Sequence, residues 1–283
     1  MTAGTASDHE AGQVIVIRPA QAFKWIDLRE LWAYRTLLFQ LSMRRFKTTF
    51  EDQYLGLLWA VARPLIMMFV FVTFKNLSSA KVGEEIPYFL YIYSGLILWF
   101  YFIEAVIETS TAVRQDIGII KKVYFPRIIS PLSAIFGNLM VLSISAVPLI
   151  IMMVVFGQFP GWRLALLPLV MAQVALLILG VGCLFAALSL LGRDWEQFLA
   201  FALYIGLFVS PVIYAPSLIP EGFRALYFAN PMAGSLMAFR SVLFDNASFP
   251  WTTWLYSCAV TAGVLCIGVY AFQRSERYFS ETL

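Results

Sequence analysis

The chain contains few charged residues and only one histidine. Charged residues make up 13% of its 283 residues and hydrophobic residues 60%, whereas about 25% of an ordinary soluble domain is charged. The histidine, His9, lies in a polar N-terminal segment, and Cys183, Cys258 and Cys266 lie in apolar stretches without the spacing of metal ligands. We therefore expect neither a metal site nor a catalytic triad, and we interpret the cysteines as packing residues.

Two sequence motifs are also missing. The chain has no G-x-x-x-x-G-K-[ST] loop to hold nucleotide phosphates, so we expect any ATP to be handled elsewhere. The start MTAGTASDHEAGQVIVIRPA lacks the basic region, apolar core and cleavage site of a signal peptide, and residues 1–27 are predicted to be a cytosolic tail. The net charge of +3 is too small to indicate nucleic acid binding.

Long apolar stretches account for most of the remaining sequence. Because about 20 apolar residues cross a bilayer as a helix, the sequence predicts an all-α, polytopic membrane protein. Its single transmembrane domain covers residues 28–273, and residues 274–283 form a second cytosolic tail. The six predicted crossings are residues 55–74, 88–112, 128–156, 164–191, 198–214 and 251–272.

The distribution of basic residues predicts the orientation of the chain. With both termini in the cytosol, the tails and inner loops carry all but five of the twenty lysines and arginines. The exceptions are Lys75, Lys81, Arg163, Arg224 and Arg240. An excess of positive charge on the cytosolic side is the rule for membrane proteins, so we expect both termini in the cytosol.

An amphipathic segment precedes the first crossing. Over residues 28–50, apolar and polar residues follow two neighbouring stripes at helical spacing. This pattern favours a helix in the membrane interface, with its basic face toward anionic headgroups. A helix packed on a soluble partner is the alternative.

A second unusual segment, residues 215–249, separates the fifth and sixth crossings. Its apolar stretches are short and are interrupted by Asn230 and Pro231. Stretches of about 10–14 apolar residues are too short to span a bilayer. We therefore predict short re-entrant or interfacial helices here.

The second predicted crossing contains two carboxylates and many aromatic rings. Glu104 and Glu108 share a helical face with Tyr101, and acids within a bilayer usually face a bundle interior or a water-filled path. Glu104 lies deeper and favours a pathway role, whereas Glu108 is equally consistent with an interfacial carboxylate. The aromatic residues, including Tyr91 and Trp99, fit either an interfacial belt or a channel for sugars.

The loop between the second and third crossings is basic. It contains an apolar run from Ile117 to Ile120, then Lys121 and Lys122, and it is interrupted by Pro126. A short helix with charged flanks is suited to docking in a groove of a cytosolic partner. Membrane anchoring by the positive charges alone is the alternative.

Several sequence blocks along the chain occur together in a known family. They are YLGLLWAVARPLIMM, IPYFLYIYSGLILWFYF, IIKKVYFPRIISPLS, ALSLLGRDWEQF, SPVIYAPSLIP, NPMAGSLMAFRSVLF and ERYF. In this order they resemble the permease subunits of type-two ABC exporters for polysaccharides, which include O-antigen, teichoic-acid and capsule exporters. The resemblance covers residues 37–279.

The resemblance implies a homodimer of six-helix subunits with a channel between them and two ABC ATPase subunits on the cytosolic face. The implied substrate is a glycan on a polyprenyl diphosphate lipid, moved from the cytosolic to the periplasmic side of the inner membrane. Lipopolysaccharide, capsule and teichoic acid all stay open as the product. Residues 216–243 resemble the family's short outer helices.

The resemblance also implies roles for particular residues. Residues 28–50 resemble an interfacial gate helix, and residues 117–124 resemble a coupling helix. The expected coupling residues are Ile117, Ile120, Lys121, Lys122, Tyr124 and Arg127. The expected pathway residues are Tyr91, Trp99, Tyr101, Glu104 and Glu108, and the expected gate-helix residues are Trp32, Phe39, Arg44 and Phe46.

Three other functions compete with polysaccharide export. The first is export of a small molecule or drug by the same superfamily, which the polysaccharide-type blocks disfavour. The second is a membrane-embedded glycan-processing enzyme that uses outer acids, for which Glu84, Glu85, Glu221 and Asp245 are candidates. The third is a membrane scaffold that only recruits partners.

Overall fold

A computed structural model describes residues 28–51, 54–78, 86–216, 219, 222, 227, 229–244 and 248–281. For residues 28, 30, 76–78 and 276–281 it describes the backbone alone. The predicted tail over residues 1–27 lies outside the described residues, as do the outer acids Glu84, Glu85, Glu221 and Asp245. Within the described ranges the secondary structure is helical and includes no strand, which confirms the predicted all-α class.

The helices follow one another with short connections. In chain order they are α1 (Leu28–Ala33), α2 (Arg35–Glu51), α3 (Leu58–Ser78), α4 (Tyr88–Gln115), α5 (Ile117–Ile120), α6 (Ile129–Val155), a 3-10 helix (Trp162–Leu166) leading into α7 (Leu167–Leu188), α8 (Asp194–Val209), α9 (Pro231–Phe244) and α10 (Trp251–Glu281).

Five stretches in the described part of the chain are long and apolar enough to cross a membrane. They are Leu58–Lys75, Tyr88–Ile120, Ile129–Val155, Trp162–Leu188 and Trp251–Ser275. Each corresponds to a predicted crossing. The other predicted crossing, residues 198–214, falls on α8, which has 16 residues and is about 24 Å long at 1.5 Å per residue. Because the hydrocarbon core is about 30 Å thick, a sixth crossing stays a prediction.

Helix α4 occupies the centre of the bundle. It packs against α3, α6, α7, α8 and α9, and 83% of an apolar 18-residue stretch within it is buried, against 6% in α3. A helix that is apolar on all sides is normally surrounded by other helices, and the four consecutive residues Leu96, Ile97, Leu98 and Trp99 of α4 are all buried. Helix α3 instead has few fully buried residues, and Leu58, Ile66, Phe69 and Phe74 are exposed.

Helices α7 and α10 approach each other closely because glycines face one another. A Cβ atom added to Gly268 of α10 would lie 1.9 Å from the carbonyl oxygen of Gly180 of α7. Such small residues allow close helix packing in membranes. Gln173 of α7 adds hydrogen bonds to both neighbours: its Nε2 donates to Thr261 Oγ1 (2.8 Å), and its Oε1 accepts from Ser235 Oγ of α9 (2.7 Å).

The amphipathic segment forms two helices rather than one. A turn at Tyr34 separates α1 from α2, and α2 packs along α6 of the same chain. Gly137 on α6 permits this contact, since a Cβ atom there would already lie 3.3 Å from Ser42 O and from Arg45 Cβ. The location of α2 in the membrane interface stays a prediction.

The segment between α8 and α10 contains the 14-residue helix α9. At about 21 Å, α9 is too short to span the hydrocarbon core, and α4, α7 and α10 pack around it. Nearly all of its side chains are buried. The structure thus contains a short internal helix in this segment, and its re-entrant or interfacial position stays a prediction.

Candidate functional site

A cavity of about 270 Å³ lies between α2, α3, α4 and α6. Its walls combine aromatic and aliphatic side chains with a few polar groups. The polar lining residues are Thr49, Arg63, Tyr101, Glu104, Asn138 and Ser145, and the larger apolar ones are Phe50, Trp59, Ile97, Phe100 and Leu142. Such a mixture of apolar walls and few polar groups is typical of ligand sites.

An ion pair lies at one side of this cavity. Arg63 Nη1 donates to Glu104 Oε1 at 2.9 Å, and the two side chains are 54% and 47% exposed in the single subunit. Glu104 lies 11 residues before the end of α4 at Gln115, which is about 16 Å along the helix. Charged groups at membrane depth usually face protein or a water-filled path. The face of α3 and α4 around this pair is therefore unsuited to contact lipid tails.

The five predicted pathway residues separate into three environments. Tyr101 and Glu104 line the cavity, while Tyr91 and Trp99 are buried in the core of the subunit. The Trp99 ring packs on Gly206 of α8, where a Cβ atom would lie 2.9 Å from the indole. Glu108 belongs to a separate polar cluster, described below. Their roles in a pathway stay predictions.

Tyr91 contacts a buried arginine that sequence reasoning counted only as an outer charge. The Arg240 guanidinium lies 3.4 Å from the centre of the Tyr91 ring and donates hydrogen bonds to the carbonyls of Pro211, Val212 and Tyr91. Two of these carbonyls follow Val209, the last residue of α8. Backbone groups freed at a helix end need new partners, so Arg240 stabilises the interrupted chain after α8. The sequence offered one indication of this role, which is that Arg240 stands within a short apolar stretch.

A buried polar cluster lies at the end of the bundle where α4 meets α5. At its centre Arg45 of α2 donates from Nε to Ser133 Oγ (2.8 Å) and from Nη1 to Glu108 Oε1 (3.1 Å). Nη1 also donates to Gln115 Oε1 (2.8 Å), and Nη2 forms a salt bridge with Asp116. We call this set, together with Asn138, the Arg45 cluster; Asn138 Nδ2 donates to the second oxygen of Glu108.

Sequence reasoning missed Arg45. The pattern assigned its neighbour Arg44 to the polar stripe, and Arg44 is indeed exposed, with a side chain 3.9 Å from the Asp116 carboxylate. Successive residues on a helix point about 100° apart, and Arg45 faces α4 and α6 while Arg44 faces outward. The spacing along α2 alone did not show which of the two arginines faces the bundle.

The other predicted gate-helix residues lie on α1 and α2, two of them on the outside. Trp32 and Phe39 are exposed, and Phe46 is half-buried with its ring 5.7 Å from that of Phe50 in an edge-on arrangement. Large exposed aromatic side chains beside basic residues are typical of helices that contact headgroups. The exposed face of α2 is therefore suited to a membrane interface.

The basic loop after α4 forms the predicted short helix, α5. On its inner side Ile120 packs with Ile119 against a small apolar cluster of Leu41, Phe125 and Ile129. Lys121, Lys122 and Tyr124 lie on the outer side, and Tyr124 is 83% exposed. Ile117 and Arg127, near the two ends of the loop, are half-buried. The loop is thus anchored by apolar contacts and presents two lysines and a tyrosine outward.

The described residues hold no group of three or more His, Cys, Asp or Glu side chains placed to bind a metal ion. Arg63 and Glu104 in the cavity form one ion pair, and Arg45 forms ion pairs with Glu108 and Asp116. This arrangement is suited to positioning helices and to lining a polar surface.

Five apolar helices of membrane-crossing length, with α4 at the centre of the bundle, define a multi-pass membrane protein. The comparison with protein families is more specific. A family model described as ABC-2 type transporter matches residues 36–244, and the chain belongs to this family. Membership makes it the membrane subunit of an ABC transporter, and it confirms the resemblance seen in the sequence blocks.

Three curated relatives are similar to this chain over most of their length. The O-antigen export system permease protein RfbA of Myxococcus xanthus is 26% identical over 258 residues, which cover 90% of this chain and 98% of the relative. Two proteins of the same name from Klebsiella pneumoniae are each 25% identical, over 87% of this chain and 95% of the relative. The similarity therefore includes the loop around α5, the cavity between α2, α3, α4 and α6, and the short helix α9.

Proposed function

We propose that this chain is the membrane-spanning subunit of an ATP-driven exporter that moves a lipid-linked polysaccharide of the O-antigen type. The observation that carries the proposal is similarity to O-antigen export permeases over 90% of this chain and 98% of a relative. The direction is from the cytosolic to the periplasmic side of the inner membrane, with both termini and α5 in the cytosol. The lipid carrier is a polyprenyl diphosphate.

The working assembly is a homodimer with the channel between two copies. Two observations support this assembly. Only 6% of an apolar 18-residue stretch of α3 is buried in the single subunit, and the half-exposed ion pair of Arg63 and Glu104 lies beside it. A charged pair is costly next to lipid tails. A second copy covering α3 and enclosing a water-filled path would remove that cost, and the polar side of the cavity would then face the path.

ATP hydrolysis takes place on a separate ATPase, two copies of which bind the dimer together with their ATP and magnesium. The docking surface is the outer side of the loop around α5, with Lys121, Lys122 and Tyr124 as its exposed groups. Ile117, Ile120 and Arg127 hold the loop in place from the bundle side. Closure of the ATPase pair pushes this loop and thereby moves the helices attached to it.

The outer face of α1 and α2 receives the lipid-linked substrate at the cytosolic interface. Trp32 and Phe39 supply apolar contacts for the lipid, and Arg44 supplies a positive charge near its diphosphate. Phe46 lies at the packed side of the same helix. Arginine is well suited to phosphate recognition because its guanidinium forms paired hydrogen bonds.

Charge reversal in the loop tests the docking surface. In the double variant Lys121→Glu/Lys122→Glu, we expect about tenfold less ATPase to co-purify with this chain, because two attractive contacts become repulsive. Export should fall with it. The matched control is Lys121→Arg/Lys122→Arg, which keeps both charges and should retain the ATPase. Unchanged co-purification and export in the glutamate variant would reject docking at this loop.

A further inference from the structure

Arg45 of α2 contacts α4, α6 and the residue that connects α4 to α5. Its guanidinium donates to side chains of α4 and α6 and forms a salt bridge with Asp116, the residue between α4 and α5. The side chain is only 7% exposed, and a further contact reaches the carbonyl of Ala112 at 3.4 Å. The position of α2 is therefore defined relative to the end of α4 rather than by apolar packing on α6 alone.

Asp116 connects this cluster directly to α5. Its backbone carbonyl accepts hydrogen bonds from the amides of Ile119 and Ile120, at 2.9 and 3.0 Å, and so starts the short helix. Its carboxylate binds Arg45, with Arg44 at 3.9 Å on the other side. Any displacement of α5 must therefore displace Asp116, and with it the partner of Arg45.

The charges of the cluster oppose its separation. Two carboxylates, Glu108 and Asp116, surround the Arg45 guanidinium in a largely buried site, and the nearby Arg44 partly balances the second negative charge. Separating a buried ion pair leaves uncompensated charge in a poorly solvated place, which is strongly unfavourable. The contacts are therefore expected to persist while the surrounding helices move.

We propose that Arg45 is a positioning residue that makes α2 move together with α5, so that motion of the docking loop is transmitted to the interfacial helix. The proposal rests on the proposed docking of the ATPase at this loop. In this proposal the ATPase drives the movement of α2 through the docking loop, and the substrate does not push α2 aside. The apolar contact of Leu41 with the Phe125 and Ile129 cluster supports the same link from a second side.

Substitution of Arg45 separates ATP hydrolysis from export. In Arg45→Gln we expect the ATPase to co-purify and to hydrolyse ATP within about twofold of the unmodified complex, while export of lipid-linked glycan falls about tenfold or more. Arg45→Lys, which keeps the charge without the planar fork, should recover part of the export. The matched control Arg274→Gln alters an exposed arginine of α10, a helix that packs on α7 and α9 rather than on the Arg45 cluster, and its export should be unchanged.

The result that would overturn the proposal is normal export in Arg45→Gln, or a parallel fall of hydrolysis and export in a complex that still assembles. ATPase binding by the Lys121→Glu/Lys122→Glu variant is measured separately. If that variant keeps its ATPase, docking at this loop is wrong. If it loses the ATPase while Arg45→Gln keeps both its ATPase and normal export, docking holds and only the Arg45 link is wrong.

A covalent link provides a second test that keeps the Arg45 cluster intact. Leu41→Cys and Phe125→Cys are introduced together after replacement of the three native cysteines, and the pair is bridged with a short, reducible bifunctional thiol reagent. If α2 and the loop move as one body, bridging leaves export unchanged relative to the same protein before bridging. Arrest on bridging that is reversed by reduction would overturn the proposal.

Discussion

At the scale of single residues, the sequence identified unusual charges but not their partners. Glu104 and Glu108 stand out because acids are rare in apolar helices, and helical spacing placed both on one face of α4. Their partners, Arg63 and Arg45, come from α3 and α2. Periodicity describes one helix at a time, so it gives no information on which side chain a neighbouring helix brings.

The ion pair of Arg63 and Glu104 gives a prediction at this scale. Because the pair is half-exposed, Glu104→Gln is expected to change the free energy of unfolding by no more than about 1 kcal/mol, while export falls severalfold if the pair faces the path. Thermal unfolding of the purified chain and export in cells measure the two effects. The control is Ser143→Ala, an exposed residue of α6 whose hydroxyl donates to the carbonyl of Leu139 of the same helix.

Unchanged export in Glu104→Gln would show that the pair does not face the translocation path. Loss of stability well above the expected value would show instead that the pair mainly holds α3 against α4. In the double variant Arg63→Gln/Glu104→Gln, coupling between the two sites is measured directly, since residues in contact give non-additive effects.

At the scale of helices, length and composition were sufficient for most crossings. Five of the predicted segments are helices of membrane-crossing length, because long apolar runs have few alternatives in a bilayer. The break at Tyr34 between α1 and α2 was not predicted, since the apolar spacing continues through it. The end of α8 at Val209 was also missed: the apolar run continues to Tyr214, but Arg240 stabilises a non-helical backbone there.

The close contact of α7 with α10 predicts different effects of substituting two glycines of α10. Gly268→Ala should lower stability by about 1–3 kcal/mol, because its Cβ atom would overlap the backbone of Gly180. At Gly263 of the same helix a Cβ atom meets nothing within 4 Å. Gly263→Ala should therefore be neutral or slightly stabilising, by up to about 1 kcal/mol from helix propensity.

Thermal unfolding in detergent compares the two glycine variants under identical conditions. The described packing predicts a lower midpoint for Gly268→Ala than for Gly263→Ala. Equal midpoints would contradict the close approach of α7 and α10.

At the scale of the whole molecule, the single subunit is incomplete as a transporter. Helix α3 exposes several large apolar side chains, the loop after α4 exposes Lys121, Lys122 and Tyr124, and the sequence contains no nucleotide-binding loop. Family membership explains this, since an ABC transporter divides membrane passage and ATP hydrolysis between domains. The order of the sequence blocks was sufficient to predict the family. The pattern of helices gives no information on which sugars the glycan contains.

The central claim is export of a lipid-linked polysaccharide, and one measurement tests it most directly. The chain is deleted in its own host, and lipid-linked glycan is quantified on each side of the inner membrane and at the cell surface, with the unmodified chain restored as the control. Our account predicts glycan trapped on the cytosolic side and short or absent surface glycan, both reversed by restoration. Normal surface glycan in the deletion strain, in a host without a second exporter of this kind, would contradict it and would favour export of a small molecule.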